Sequence, residues 1–176
     1  MIILITGTPG TGKSTTAQLV AEALGVQNLR ISDLIDKNIV IGRDEERESL
    51  EIDIRKLYEK IKKMELKDTV IDGHLSHLLP FEDATVIVLR ARPEVLEERL
   101  KAKGFNRRKI KENLEAEAID VCLIESFERH KKVYEIDTSE LSPEEVIEAE
   151  LEIISGKGES YLPGKIDWSG YFLGQD

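Results

Sequence analysis

What this chain lacks narrows the field before any motif is read. A single cysteine, Cys122, leaves no internal disulfide to form and suits a reducing compartment. It lies in a helical apolar pattern and reads as a packing residue rather than a reactive thiol. No apolar run approaches the length of a membrane-spanning helix, and the opening "MIILIT" meets glycines too soon to serve as a secretory leader. A cytoplasmic protein without membrane contact is expected. Basic charge is in deficit, with 25 Lys and Arg against 35 Asp and Glu and a formal net charge of -10. Binding by neutralising a phosphate backbone needs an extensive surplus of lysine and arginine, so no strong direct nucleic-acid binding is expected.

What remains is one domain's worth of chain, 176 residues of which 40% are hydrophobic, enough to bury a core unaided. Five apolar stretches, "MIILIT", "NLRI", "DTVIDG", "ATVIVLR" and "KVYEID", alternate with helical patterns. That alternation predicts an α/β fold: a parallel sheet with helices on both faces. Between them lie a polar stretch "IGRDEERES", an amphipathic "LEIDIRKLYEKIKKM", and one long helix "RRKIKENLEAEAIDVCLIESFERH". A last helix starts at Ser142, with Pro143 in its first turn and Glu145 three residues on. Residues 1–155 form the predicted domain. Residues 156–176 form a tail that is glycine-rich yet aromatic, with Tyr161, Trp168, Tyr171 and Phe172, unlike a plain linker.

The stretch "GTPGTGKST", residues 7–15, satisfies the Walker A pattern in the strand-to-helix setting that the pattern requires. Gly7, Gly10 and Gly12 let backbone N–H groups turn inward around a β-phosphate. Lys13 reaches β- and γ-phosphates, and Ser14, followed by Thr15, presents its hydroxyl to Mg²⁺ at the positive end of a helix. The natural second half is "VIDGH", an apolar strand ending in Asp72, placed to hold Mg²⁺ directly or through water. The two strands are expected side by side. ATP and Mg²⁺ are thus the expected cofactors.

In this order and spacing, "GTPGTGKST", "ISDLI", "IDGH" and "ERLKAKGFNRRKIKENLEAE" resemble the nucleoside monophosphate kinases, and more narrowly the adenylate kinase isoenzyme 6 family with its Asp-x-His motif. Ordinary adenylate kinases read Asp-Gly-Phe-Pro-Arg where this chain has Asp72-Gly73-His74. The resemblance covers the chain to about residue 152. It implies a P-loop fold with a five-stranded parallel sheet, a small arm for the nucleoside monophosphate over about residues 28–51, and a lid over about residues 103–113. It implies the reaction ATP + AMP ⇌ 2 ADP with Mg²⁺, an accompanying ATPase activity, and a role in maturing the small ribosomal subunit through a platform protein of that subunit.

An AMP phosphate is already an anionic nucleophile, so its kinase needs cations and positioning rather than a general base. Candidate cations are Lys13, Arg99, Lys103, Arg107 and Arg108. Two positions depart from the family pattern. Lys103 stands where many relatives have arginine, and "DLID", residues 33–36, lacks the arginine of the Asp-Leu-x-Arg stretch, leaving Arg43, Arg47 or Arg55 as substitutes. Asp33 contacts the acceptor in this reading. In a small-hydroxyl kinase of the shikimate or gluconate type it would instead be the base. A further alternative is an assembly factor whose ATPase cycle opens and closes a protein interface. His74 either orients a water at the sheet edge or caps the turn that follows it.

Overall fold

The strands in the middle of the sheet carry apolar side chains at successive positions, a pattern only a strand buried on both faces absorbs. The computed structural model, which describes residues 1–44 and 49–174, builds five of them into one parallel sheet. They are β1 (Ile2–Thr6), β2 (Gln27–Arg30), β5 (Thr69–Asp72), β6 (Thr85–Arg90) and β7 (Lys132–Asp137), in the order β2-β5-β1-β6-β7. Side chains alternate across it. Ile3 and Ile5 pack with Val70, Ile87 and Leu89 beneath α1 (Lys13–Leu24) and α7 (Pro143–Ile154). Leu4, Ile71, Val86 and Val88 pack on the other face against α3 (Ile54–Lys62), the 3-10 turn Ser76–Leu78 and α6 (Val121–Arg129). Each buried aliphatic contributes about 1.5–3 kcal/mol, so a one-residue slip, which exchanges the faces, is strongly disfavoured.

The remaining elements are α2 (Ile31–Leu34), the antiparallel pair β3 (Val40–Asp44) and β4 (Ser49–Ile52), α4 (Pro93–Ala102) and α5 (Arg107–Ala118). The stretch expected to be a polar connector thus supplies β-strands, favoured by Val40, Ile41, Leu50 and Ile52. Within the amphipathic stretch from residue 50 a helix starts at Ile54, because Asp53 caps it by accepting from the Lys56 N–H at 3.0 Å. The expected boundary at Ser142 holds. Its hydroxyl accepts from Glu145 N, and Glu145 Oε2 accepts from Ser142 N at 2.8 Å.

The single long helix expected over residues 107–130 is two helices, α5 and α6, broken at Asp120, which adopts a left-handed φ of 59°. The cause is tertiary. The Asp120 carboxylate pairs with Arg90 at the end of β6, whose guanidinium is 1% exposed. Arg90 Nε also donates to Glu117 Oε1 at 2.6 Å, its Nη1 to Glu135 Oε2 at 3.3 Å, and its Nη2 to the Glu117 carbonyl at 3.0 Å. The tail folds back onto the domain at the same place. Glu135 Oε1 accepts from the N–H groups of Gly164 at 2.8 Å and Lys165 at 3.1 Å, and Tyr171 packs into the apolar cluster between α4 and α5.

Arg90→Met leaves Glu117 and Glu135 buried without their cation, and is expected to lower the unfolding free energy by about 3–5 kcal/mol in denaturant titrations. A loss below about 1 kcal/mol would show that the ion pairs are dispensable.

Candidate functional site

Parallel register brings the site together before any side chain is considered. Ile5 pairs with Asp72 across β1 and β5, and Asp72 pairs with Arg30 across β5 and β2. Asp72 lies two residues beyond Val70, which packs under α1, so its carboxylate emerges on the α1 side, at the carboxyl edge where α/β sheets place ligands. Residues 7–12 turn from β1 into α1. Gly7 has φ +138°, and a Cβ there would come within 2.3 Å of the Leu89 carbonyl, so only glycine allows this close return. Gly12, in the left-handed region, precedes α1 with no side-chain cap, and no acid occupies the first turn. The first N–H groups of α1 therefore face the loop, ready for an anion.

Lys13 is nearly buried, and its Nζ donates to the Thr8 carbonyl at 3.2 Å. Burial lowers its pKa to about 8; the Lys103 ammonium lowers it further, while the Cys122 thiol, Asp72 and Glu117 pull the other way. Ser14 Oγ donates to Asp72 Oδ1 at 3.0 Å. Asp72 Oδ2 accepts from Asn28 Nδ2 at 3.4 Å and lies 3.7 Å from Arg30 Nε, while Asn28 Oδ1 is buried with no partner. Thr8 donates its hydroxyl to Glu117, tying the loop to the Arg90 cluster.

Gly73, at φ +153° and with Ile31 packed where a Cβ would stand, turns the chain outward. His74 follows, exposed at the edge of the sheet. Partial desolvation, then the charges of Lys13 and Lys109, lower its imidazole to about 4, leaving it neutral. Nor does it cap the Ser76–Leu78 turn, whose preceding residue is Leu75 and which has no side-chain cap. The turn is instead pinned from below. Ser76 Oγ donates to the Ile5 carbonyl at 3.0 Å. The buried His77 shares hydrogen bonds of 2.6 Å with Thr6 Oγ1 and 2.9 Å with Glu125 Oε2.

On the β7 side of the loop lies a cavity of about 430 Å³, lined by Gly10, Gly12, Thr15, Arg99, Lys103 and Pro143 among others. Arg99 is held there through Nη1 to Thr138 Oγ1 at 3.0 Å and Nη2 to the Thr138 carbonyl at 2.7 Å. Asp33 is exposed on α2, on the opposite side, where its carboxylate accepts from Ser32 Oγ. Arg107 and Arg108 line a different groove, with Lys101 and Tyr171, and are not gathered with Lys13. Arg47 lies outside the described residues. Arg30, Asn28 and the Arg90–Glu117 pair were not anticipated. "NLRI" reads simply as a strand, and the placement of its polar residues beside Asp72 depends on β2 pairing with β5, which no local pattern states.

Three kinds of likeness accompany this geometry. Residues 3–120 match a family model described as "AAA domain". A protein of Pyrococcus abyssi named "Putative adenylate kinase" is 44% identical over 172 residues, spanning 96% of this chain and 92% of its own length. One of the same name from Methanothermobacter thermautotrophicus is 45% identical over 175 residues, spanning 98% of this chain and all of its own. Among solved structures, shikimate kinase from Acinetobacter baumannii in complex with shikimate has a TM-score of 0.64 at 15% identity, over 90% of this chain and 94% of that one. A gluconokinase from Sinorhizobium meliloti has a TM-score of 0.55 at 15% identity, over 98% and 96%. At these identities the solved structures show the fold alone, a P-loop kinase fold.

Holding Lys13 protonated in a buried site has a stability consequence with a definite sign. Its folded pKa, about 8, lies below its ordinary value of 10.5, so the folded state loses the proton first and stability rises as pH climbs through that window. Lys13→Met is expected to melt above the parent at pH 7, with the difference shrinking as the pH approaches 10.5. A variant equal to or below the parent at pH 7 would refute an unfavourable buried charge.

Proposed function

The chain belongs to the archaeal adenylate kinase family that these relatives represent, and from that premise we propose that it transfers the γ-phosphate of ATP to AMP, giving two ADP, with Mg²⁺. The observation that carries this reading is the Ser14–Asp72 contact at the mouth of a glycine loop holding a buried lysine, with a cavity for a ligand on its β7 side. ATP lies with its phosphates along residues 7–15 and its nucleoside in the cavity beside Arg99 and Lys103. AMP approaches from the β2 side, where Asp33 is exposed. The antiparallel pair β3 and β4 belongs to the arm over AMP, about residues 28–51, and residues 103–113 serve as the lid over ATP, shutting out water.

The donors present suit Mg²⁺. Ser14 Oγ and Asp72 are hard oxygen donors that would hold the ion, and the buried, unpartnered Asn28 Oδ1 beside them would accept from a water it carries. Among the described residues no cluster of three or more carboxylate, imidazole or thiol groups is placed to hold a metal. A bound Mg²⁺ would supply neutralisation of the phosphate charge. An AMP phosphate oxygen forms the new bond to the γ-phosphorus as the bond to the β–γ bridging oxygen breaks. Lys13 follows the charge across, and no residue has to remove a proton.

A second activity, ATP hydrolysis, is favoured by His74, exposed at the sheet edge two residues beyond Asp72, whose neutral imidazole is able to orient a water. The exposed Ile119, Ile124 and Phe127 on and beside α6 offer apolar surface to the ribosomal platform protein that the resemblance implies.

ADP formation from Mg–ATP, measured with and without AMP beside release of inorganic phosphate, separates transfer from hydrolysis. Strong dependence on AMP is expected, as is a fall of about 10²-fold or more in Lys13→Ala. ADP formation indifferent to AMP would leave an ATPase. His74→Gly is expected to depress phosphate release at least as much as AMP phosphorylation while ATP affinity holds. Equal release in variant and parent would remove His74 from hydrolysis.

A further inference from the structure

We infer that Arg30 is the residue that grips the acceptor's phosphate, an inference that rests on the nucleoside monophosphate kinase reading above. The arginine expected from the Asp-Leu-x-Arg pattern is replaced by Asp36, whose carboxylate is occupied by Lys60 Nζ at 2.8 Å. Arg43 and Arg55 stand on β3 and in the first turn of α3, off the five-stranded sheet. Arg30 ends β2 and is held in parallel register beside Asp72.

Its side chain is 44% exposed, and its nearest anion, Asp72 Oδ2, is met by Nε at 3.7 Å, beyond hydrogen-bond distance. Neither terminal nitrogen makes a hydrogen bond among the described residues. A guanidinium so placed keeps its planar fork available, and that fork matches two phosphate oxygens at once. Asp72 offsets its charge while the site is empty and keeps it at the carboxyl edge.

The side of the sheet decides which phosphate it takes. The cavity lined by Arg99, Lys103 and Pro143 lies toward β7, at the far edge from β2. ATP is bound on that side and along the loop. Arg30, two strands from β1 in the opposite direction, meets the phosphate of the second nucleotide.

Calorimetric titration of AMP into protein loaded with Mg²⁺ and a non-hydrolysable ATP analogue tests this without turnover, comparing the parent with Arg30→Gln and Arg30→Lys. Loss of a charge-assisted pair is expected to weaken AMP binding about 10- to 100-fold in Arg30→Gln. Arg30→Lys, which keeps the charge but not the fork, is expected to fall between. Affinity for the ATP analogue is expected to stay within about threefold of the parent, well inside the change for AMP. AMP binding equal in parent and Arg30→Gln would overturn the inference and leave the kinase reading standing. Parallel loss of both ligands in Arg30→Gln would overturn it by showing a structural role. A parent that binds no nucleoside monophosphate would overturn the proposed function, and this inference with it.

Discussion

One buried cation organises this molecule. Arg90 ends β6 beneath the phosphate loop and meets Glu117, Asp120 and Glu135, drawn from the end of α5, the break before α6, and β7. Taking these charges out of water costs several kcal/mol per ion, and the network repays this only through short, complementary contacts. What it gains is placement. Glu117 turns its second oxygen to the Thr8 hydroxyl, and Glu135 turns its own to the backbone of the tail at Gly164 and Lys165. The phosphate loop, the α5–α6 junction and the C-terminal tail are thereby referred to one guanidinium.

That rigidity lets the loop hold a conformation that is unfavourable on its own terms. A buried lysine whose charge Lys103 also opposes and a helix N-terminus with neither cap nor acid are each local penalties. Both are relieved by a polyanion seated at the same place, which supplies charge to the lysine and acceptors to the helix N–H groups. The empty protein thus carries the cost of a site already shaped for phosphate, the usual exchange of stability for preorganised function.

Much of this was legible in the sequence, because the relevant signals are local. The glycine loop, its lysine and serine, Asp72 at a strand end, the strand and helix alternation and the Ser142 cap all lie within short windows. What escaped notice depends on distant partners. Helical periodicity runs unbroken through Asp120, and only an arginine contributed by β6, 30 residues earlier, explains the left-handed turn there. The β3–β4 pair sits in a stretch dense with charge, so its few apolar residues gave too weak an alternation to read. Arg30 and Asn28 became visible as site residues only once β2 was seen to pair with β5 rather than with β1. For Arg107 and Arg108 the charge was legible and the surroundings were not. They have the right charge and the right neighbourhood in the chain, yet α5 turns them toward a separate groove.

In the proposed reaction two nucleotides meet head to head across the Ser14–Asp72 contact, one on each side of the phosphate loop. Binding of a dinucleoside pentaphosphate, two adenosines joined through five phosphates, tests this most directly, because a single molecule spans both places at once. One molecule per chain is expected, bound about 10²-fold or more tightly than ATP through the linkage of two sites. Affinity no greater than that of ATP, or two molecules bound per chain, would contradict it.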